Sequence, residues 1–560
     1  MTTQESEAAP AAAPQVLVAG AGPVGLMTAL ELLRRGLRVR LVDAAAGPAV
    51  TSRAMATHAR SLETYDQQGL LGDLMARGRV IQRFTMHLNG RQLASLGPDY
   101  SQVPTRFPMT LMIDQAATED TLRQAVSKLG VEVEWGVRLA GFTQDADAVH
   151  AVLRTSRDES RDESRDESRD EEHLTVSWLV GCDGGHSTVR RILGMPLIGD
   201  SSETWLIADA EVDVDLPQNS IHWIKVGKGT VMAVPFPEER KWRLLDTADA
   251  DYDGDPGAVA ERFARKLRRG LGRPAKVHTP SWVSVFTIQQ RMITSMWKGR
   301  CLLAGDAAHV HSPASGQGLN TGIQDAYNLA WKLAMVEQGH ADAALLDTYS
   351  AERVPIGRAL LGSTKKATYF VQLKNSAAAV ALPLVFALVR RFAPLRGRIE
   401  RQIIGAMSAL ALDYTASPLT VADTRPPGAA GPRAGTRLTQ VTAQEARGAA
   451  WAAVADELRD TRCTLLLAGG HESATRTARE LRDAHADWLS VRTIDDPTGP
   501  GPLADPDGHL RRRLGLTAGG WLLVRPDGYL CARGESLTPR SLAPALDAVR
   551  GRPRPAARAA

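Results

Sequence analysis

At 560 residues the chain is too long for one ordinary core, so two or three domains are expected. Its 67 basic and 63 acidic residues nearly cancel and are spread along the sequence, which excludes the basic block a nucleic-acid partner would need. The four cysteines, Cys182, Cys301, Cys463 and Cys531, never approach the close pairs of a zinc ribbon or a redox dithiol, and they fit a reducing cytoplasm.

Residues 1–13 lack both the basic start and the apolar centre of a signal or transit peptide and read as a disordered lead-in. Over residues 15–43, "QVLVAG" predicts a buried strand, Pro23 opens a helix that runs to Arg35, and "LRVRLVD" predicts a second strand. This is a βαβ unit. A less regular stretch from Phe84 leads to a helix in residues 112–130, ended by Gly130, and strand-like segments follow at residues 131–135 and 149–154. Residues 157–172, "RDESRDESRDESRDEE", have i,i+4 charge pairs but no apolar face, so they read as an expanded hairpin loop. Residues 203–290 hold short strand candidates and Trp205, Trp223 and Trp242, which predicts a β-rich region. A second α/β segment runs from Arg300 to about Gly339, and helical segments continue to about Tyr414. The Pro/Gly-rich "DTRPPGAAGPRAGTR" marks a boundary, beyond which strands and helices alternate as in a small separate α/β domain. The apolar residues 377–389 are broken by Pro383 and followed by Arg390 and Arg391. They are short of the ~20 residues a membrane span needs and read as a packed helix.

Three motifs carry chemistry. In "GAGPVG", Gly20, Gly22 and Gly25 follow a strand and open a helix; they allow a tight turn, close approach to a pyrophosphate, and close helix–strand packing. Asp43 ends the next strand eighteen residues past Gly25, where an acid can bind ribose hydroxyls. In "WLVGCDGGHSTVRRILG" a strand runs into Asp183, Gly184 and Gly185, and a helix starting near Ser187 has Arg190 and Arg191 in its first turn. Cations are unfavourable there, so either an anion lies near or the arginines pair with surface carboxylates. In "GDAAHVHSPASGQGLNTG" a strand ends at Asp306, which can accept hydroxyl protons. A helix begins at Gly318, Leu319 and Asn320, whose N–H groups can meet negative charge. His309 and His311 have metal-like spacing, but no third ligand or H-E-x-x-H pattern accompanies them.

In this order and spacing, the three motifs resemble the FAD-dependent aromatic hydroxylases of the p-hydroxybenzoate hydroxylase type, over roughly residues 14–370. The implied fold is α/β: a Rossmann-like FAD-binding domain (14–83, 105–200 and 290–370) and a β-rich substrate domain (84–104 and 201–289). A helical connection (371–420) leads to a thioredoxin-like C-terminal domain (421–560) without C-x-x-C. The resemblance assigns the pyrophosphate to the turn of Gly20, Gly22, Pro23, Val24 and Gly25, and the adenosine ribose to Asp43. It places Arg53 and Gln115 against the cofactor and Asp183 near the pyrophosphate and the path of NADPH or NADH. Asp306 would meet the ribityl chain, and Gly318, Leu319 and Asn320 the flavin pyrimidine ring. The histidines then become packing or supporting residues. One departure stands out, since Ser315 occupies the first glycine position of the family's P-x-G-G-Q-G loop.

The resemblance further implies that NADPH or NADH reduces bound FAD, that O2 adds at the flavin C4a carbon, and that one oxygen passes to an aromatic ring. The protein would supply orientation, a dry cavity and matching charge. The third motif and the C-terminal extension are closest to hydroxylases that tailor aromatic polyketides. A catabolic phenol hydroxylase, a Baeyer–Villiger-type oxygenase, a flavin reductase and a non-catalytic FAD scaffold stay open as alternatives. The implied partner is a small aromatic substrate, without nucleic acid or membrane, and the C-terminal domain would cover the site or support a homodimer. No catalytic base is named.

Overall fold

The computed structural model describes residues 13–50, 54–96, 104–155, 171–227, 229–311, 316–372, 408–423, 425–426 and 428–552. Residues 1–12 of the lead-in, Arg53, Pro313 to Ser315, the apolar residues 377–389 and nearly all of the RDES repeat lie outside the described residues.

The strand Val16–Ala19 is apolar and buried throughout, as a strand covered on both faces must be. It lies inside a six-stranded sheet ordered Trp297–Lys298, Cys301–Leu303, Trp178–Gly181, Val16–Ala19, Val39–Asp43, Glu134–Trp135, parallel except at its first strand. This order sets the ends of three strands side by side: the one before the glycine turn, the one before Asp183 and the one before Asp306. The crossover helix Pro23–Arg34 starts at Gly22 with proline in its first turn, where the missing N–H costs no bond. The helix Gln115–Lys128 is capped by Asp114, whose carboxylate accepts from Ala116 N at 3.0 Å, and Gly130 follows it at φ +85°. The strand expected over 131–135 contracts to Glu134–Trp135, because only Val42 and Asp43 reach far enough to pair with it.

The β-rich region forms a nine-stranded sheet containing Arg83–Leu88, Ile198–Asp213, Ser220–Val226, Gly229–Pro235, Lys241–Asp246 and Trp282–Met292. Its two faces separate by alternation along each strand. Leu206, Ala208, Leu244 and Trp242 pack with Phe263 and Leu267 of the helix Pro256–Leu271. Trp205, Ile207, Phe84, Met232 and Phe236 form the other cluster, which takes in Met55, Ile81 and Met112. Trp205 and Trp242 are therefore core residues, whereas Trp223 is only partly buried and stacks on Phe84 with centroids 5.6 Å apart.

The strands Val149–Thr155 and Glu171–Val176, which flank the RDES repeat, pair antiparallel with Arg154 opposite Glu171. After the Pro/Gly-rich linker a five-stranded sheet runs in the order Pro502–Leu503, Leu489–Ile494, Cys463–Ala468, Trp521–Val524, Leu530–Gly534. Its first three strands are parallel and the last two antiparallel. Among the described residues no helix is long and apolar enough to cross a membrane.

Candidate active site

The glycine turn is shaped by its neighbours. Gly20 stands at φ +101°, and a side chain there would put its Cβ 2.5 Å from Cys182 O, at the start of the second motif. A Cβ at Gly25 would lie 1.8 Å from Gly20 O, so the helix meets the turn backbone to backbone. Val24 fills the space beside the third motif, since a Cβ at Gly305 or Gly322 would come within 2.8 or 2.5 Å of it. The three motifs thus form one packed unit. Gly22 differs: a Cβ there meets nothing within 4 Å. The same holds at Gly318, the first residue of the helix Gly318–Glu337. Two helix N-termini, with N–H groups that have no intrahelical acceptor, therefore adjoin open space.

Asp43 braces this turn, its carboxylate accepting from Ala21 N at 2.6 Å and Ala45 N at 2.8 Å. Gln115, at the start of its helix, accepts from Ala54 N at 3.0 Å and donates to Glu119 at 2.8 Å. Burial pushes the Glu119 carboxyl above its usual range, with Asp43 and Asp114 adding to the shift against the Gln115 bond. Arg53 lies outside the described residues.

In the second motif one Asp183 oxygen accepts from Thr188 N at 2.6 Å and Val189 N at 3.2 Å, capping the helix Thr188–Ile192 together with Ser187. The other Asp183 oxygen is buried and has no partner. The arginines are explained without an anion. Arg190 is buried and donates to Ala307 O at 3.0 Å and Gly185 O at 2.8 Å, joining the second motif to the third. Arg191 turns back to Ser187 O and the Thr188 hydroxyl. A helix of five residues is so short that its first turn is also its last, and the expected charge conflict disappears.

In the third motif Asp306 is exposed on the 3-10 turn Gly305–Ala307. Asn320 is buried; it accepts from His58 N at 2.9 Å and donates to Ala56 O at 2.7 Å and Gly316 O at 2.8 Å. It ties the helix start to the strand Ala56–Thr57, while Gly318 and Leu319 stay half-buried. His309 Nε2 bonds Asp325 at 2.5 Å, and the His311 ring stacks on His309 at 4.7 Å. Burial holds the His311 ring neutral, far below the usual histidine range. Among the described residues no group of three or more His, Cys, Asp or Glu could hold a metal ion.

Sequence reasoning missed Asp325 and Arg353. Burial raises the Asp325 carboxyl, but His309 and Arg353 beside it outweigh that and hold it down at about 2. A signal existed: "IQDAYNLAWKLAM" places Asp325 and Lys332 in a helix that is buried almost all round, where unpaired charges are not tolerated.

Residues 13–364 match a family model described as an FAD binding domain. The chain belongs to this family. It is 49% identical over 559 residues to the 6-methylpretetramide 4-monooxygenase of Streptomyces rimosus, covering 97% of each protein. Its fold matches the anhydrotetracycline hydroxylase OxyS from Streptomyces rimosus with a TM-score of 0.71 at 28% identity, covering 97% of this chain and 100% of the other. It also matches the flavin-dependent monooxygenase PieE, solved with FAD and substrate, with a TM-score of 0.78 at 22% identity and the same coverage. This member of the family is an FAD-dependent aromatic monooxygenase. Its residues fit the cofactor: the open side of Gly22, the open side of Gly318 and the unpartnered Asp183 oxygen all belong to the unit that the three motifs build.

Proposed function

We propose that this monooxygenase hydroxylates a polycyclic aromatic substrate of the polyketide type, using NADPH or NADH as reductant and O2 as cosubstrate. The observation that carries this reading is the 49% identity along nearly the whole chain to an enzyme named for 6-methylpretetramide. Bound FAD supplies the chemistry by accepting a hydride and activating O2. The protein's residues do the rest. Gly20, Gly22, Pro23, Val24 and Gly25 receive the pyrophosphate at the first helix N-terminus, and Asp43 adds ribose contacts to its bracing of the turn. Gln115 flanks the cofactor, and the sequence motif assigns Arg53 to it as well. Asp183 and Asp306 would hold its pyrophosphate and ribityl hydroxyls, and Gly318, Leu319 and Asn320 would offer the second helix N-terminus, with its free N–H groups, to negative charge on the flavin ring. The open space at Gly22 and Gly318 supports this assignment.

The substrate lies between this cradle and the sheet face of Phe84 and Trp223, a layer of apolar and aromatic groups that excludes water and suits a flat polycycle. Residues 14–83, 105–200 and 290–370 then form the FAD-binding domain, 84–104 and 201–289 the substrate domain, 371–420 the connection, and 421–560 a thioredoxin-like domain. For the last, the support is topological: strand, helix, strand, a two-residue edge strand and a short helix, then a hairpin and a helix, with the second strand beside the first and the hairpin on its other side. All four cysteines are free thiols, which supports a reducing, cytoplasmic setting and a non-redox role for that domain.

The test is NADPH consumption by the FAD-loaded protein against simple phenols and against polycyclic naphthoquinones, anthraquinones and tetracyclic phenols, with product mass read in parallel. Acceleration by a polycycle with one added oxygen in an aromatic ring supports the reading. Acceleration by simple phenols alone overturns the substrate class, and NADPH oxidation without oxygen insertion overturns the hydroxylase activity.

A further inference from the structure

The helix Gly318–Glu337 carries two buried charges, Asp325 and Lys332, and the bonds of both lead toward the C-terminal domain. At its cradle end, Asp325 accepts from Gly305 N at 3.2 Å and His309 Nε2 at 2.5 Å through one oxygen, and from Arg353 Nε at 2.6 Å through the other. Arg353 also donates to Thr321 O at 3.2 Å. One carboxylate and its arginine thus hold the Gly305 turn and the first turn of the helix at a fixed separation, and these are two of the three sides of the cradle.

The same arginine reaches further, donating to the Tyr414 hydroxyl at 3.2 Å. Asn328 meets that hydroxyl at 3.4 Å, Glu352 at 2.8 Å and Asp527 at 3.1 Å. Lys332 donates to Glu352 at 2.7 Å and Asn328 Oδ1 at 2.8 Å. Arg525 closes the chain. It grips Glu352 with two bonds of 2.5 and 2.9 Å and Asp527 with a bond of 3.0 Å from Nε. Every ionic side chain named here is 3% exposed or less, and three carboxylates face three cations.

Such a network contributes little net stability, because desolvation offsets the attraction. With each of its carboxylates, arginines and its lysine hydrogen-bonded, it fixes one geometry, and opening any link leaves an uncompensated buried charge that the rest must rearrange to meet. We propose that the C-terminal domain positions the flavin cradle through this chain, with Arg525 as the positioning residue at the domain end and Asp325 as the positioning residue at the cradle end. The proposal rests on the cradle reading above and gives the C-terminal domain a part in setting the flavin environment.

The experiment compares FAD-loaded wild type with Arg525→Met, Arg525→Lys and Asp325→Asn. Arg459→Ala serves as control; it removes exposed bonds to Asp66 O at 3.1 Å and the Asp66 carboxylate at 3.3 Å and a pair with Asp456 at 3.1 Å, none of them part of the chain. FAD dissociation constant, flavin absorption spectrum, flavin midpoint potential and thermal midpoint are measured for each. The expected result is an FAD affinity about tenfold weaker in Arg525→Met, with a displaced spectrum and potential. Asp325→Asn is affected at least as much, Arg525→Lys is intermediate, and the control matches wild type in spectrum and potential. A folded Arg525→Met that loses thermal stability while affinity, spectrum and potential stay at wild-type values overturns the proposal. If Arg525→Met does not fold, wild-type flavin properties in Arg525→Lys and Asp325→Asn overturn it instead. A wild type that fails to bind FAD sinks the cradle reading on which it rests.

Discussion

Adding one methyl group at Gly22 tests the cradle directly. Its backbone stands at φ −68° and ψ −178°, which alanine adopts without strain, and the new Cβ meets nothing within 4 Å in the protein. Restricting the unfolded chain favours alanine by about 0.4–1 kcal/mol, while losing glycine at the helix cap costs a similar amount, so the apoprotein keeps its thermal midpoint within about 2 °C. The space entered is the one assigned to the pyrophosphate. Overpacking there costs about 1–3 kcal/mol, or about 5- to 150-fold in FAD affinity. Gly25→Ala serves as the contrast: its Cβ would lie 1.8 Å from Gly20 O, so the helix must move off the turn, and apoprotein stability falls together with affinity, by about 3 kcal/mol or more. The assay is FAD titration into apoprotein by flavin fluorescence, paired with calorimetric melting. Gly22→Ala binding FAD within twofold of wild type would refute the reasoning, because the open side of the turn would then face no cofactor.

Three further outcomes follow from particular contacts. His87 Nε2 and His222 Nδ1 lie 3.1 Å apart in the buried layer under the helix Pro256–Leu271, and burial holds both rings at about 4. Their folded values lie below the unfolded one, so their contribution is full above about pH 6.5 and is lost as pH falls toward 4. Between neutral pH and about pH 5 the pair should account for about 2 kcal/mol or more of lost stability. Urea unfolding of the double glutamine variant should show a shallower acid slope than wild type; equal slopes would contradict the assignment. Asn320→Ala leaves His58 N–H, Ala56 O and Gly316 O unmatched, so it should lose about 1–3 kcal/mol in thermal unfolding and release FAD faster in stopped flow. Arg190→Met strands the carbonyls of Ala307 and Gly185 and should lower the thermal midpoint by the equivalent of about 1–3 kcal/mol; an unchanged midpoint would restore the idea that the guanidinium serves an external anion.

The sequence by itself determined whatever depends on neighbouring residues. The βαβ unit followed from one buried strand, one turn and one helix, and Gly20 was legible because its positive φ excludes other residues whatever the distant chain does. Gly130 marked the end of its helix for the same local reason. The β-rich layer was visible as a run of short strand candidates, but not which tryptophans it buried, because that depends on which sheet face a helix covers. Tertiary structure alone decided the partners of charges. Arg190 finds its carbonyl at Ala307, 117 residues away, and Asp325 joins His309 to Arg353 across the strand, turn and helix between them. Arg525 meets Glu352 from 173 residues further along. A residue type states what bond a side chain needs, but the low dielectric of the interior, which makes that bond obligatory, exists only once the chain has folded around it.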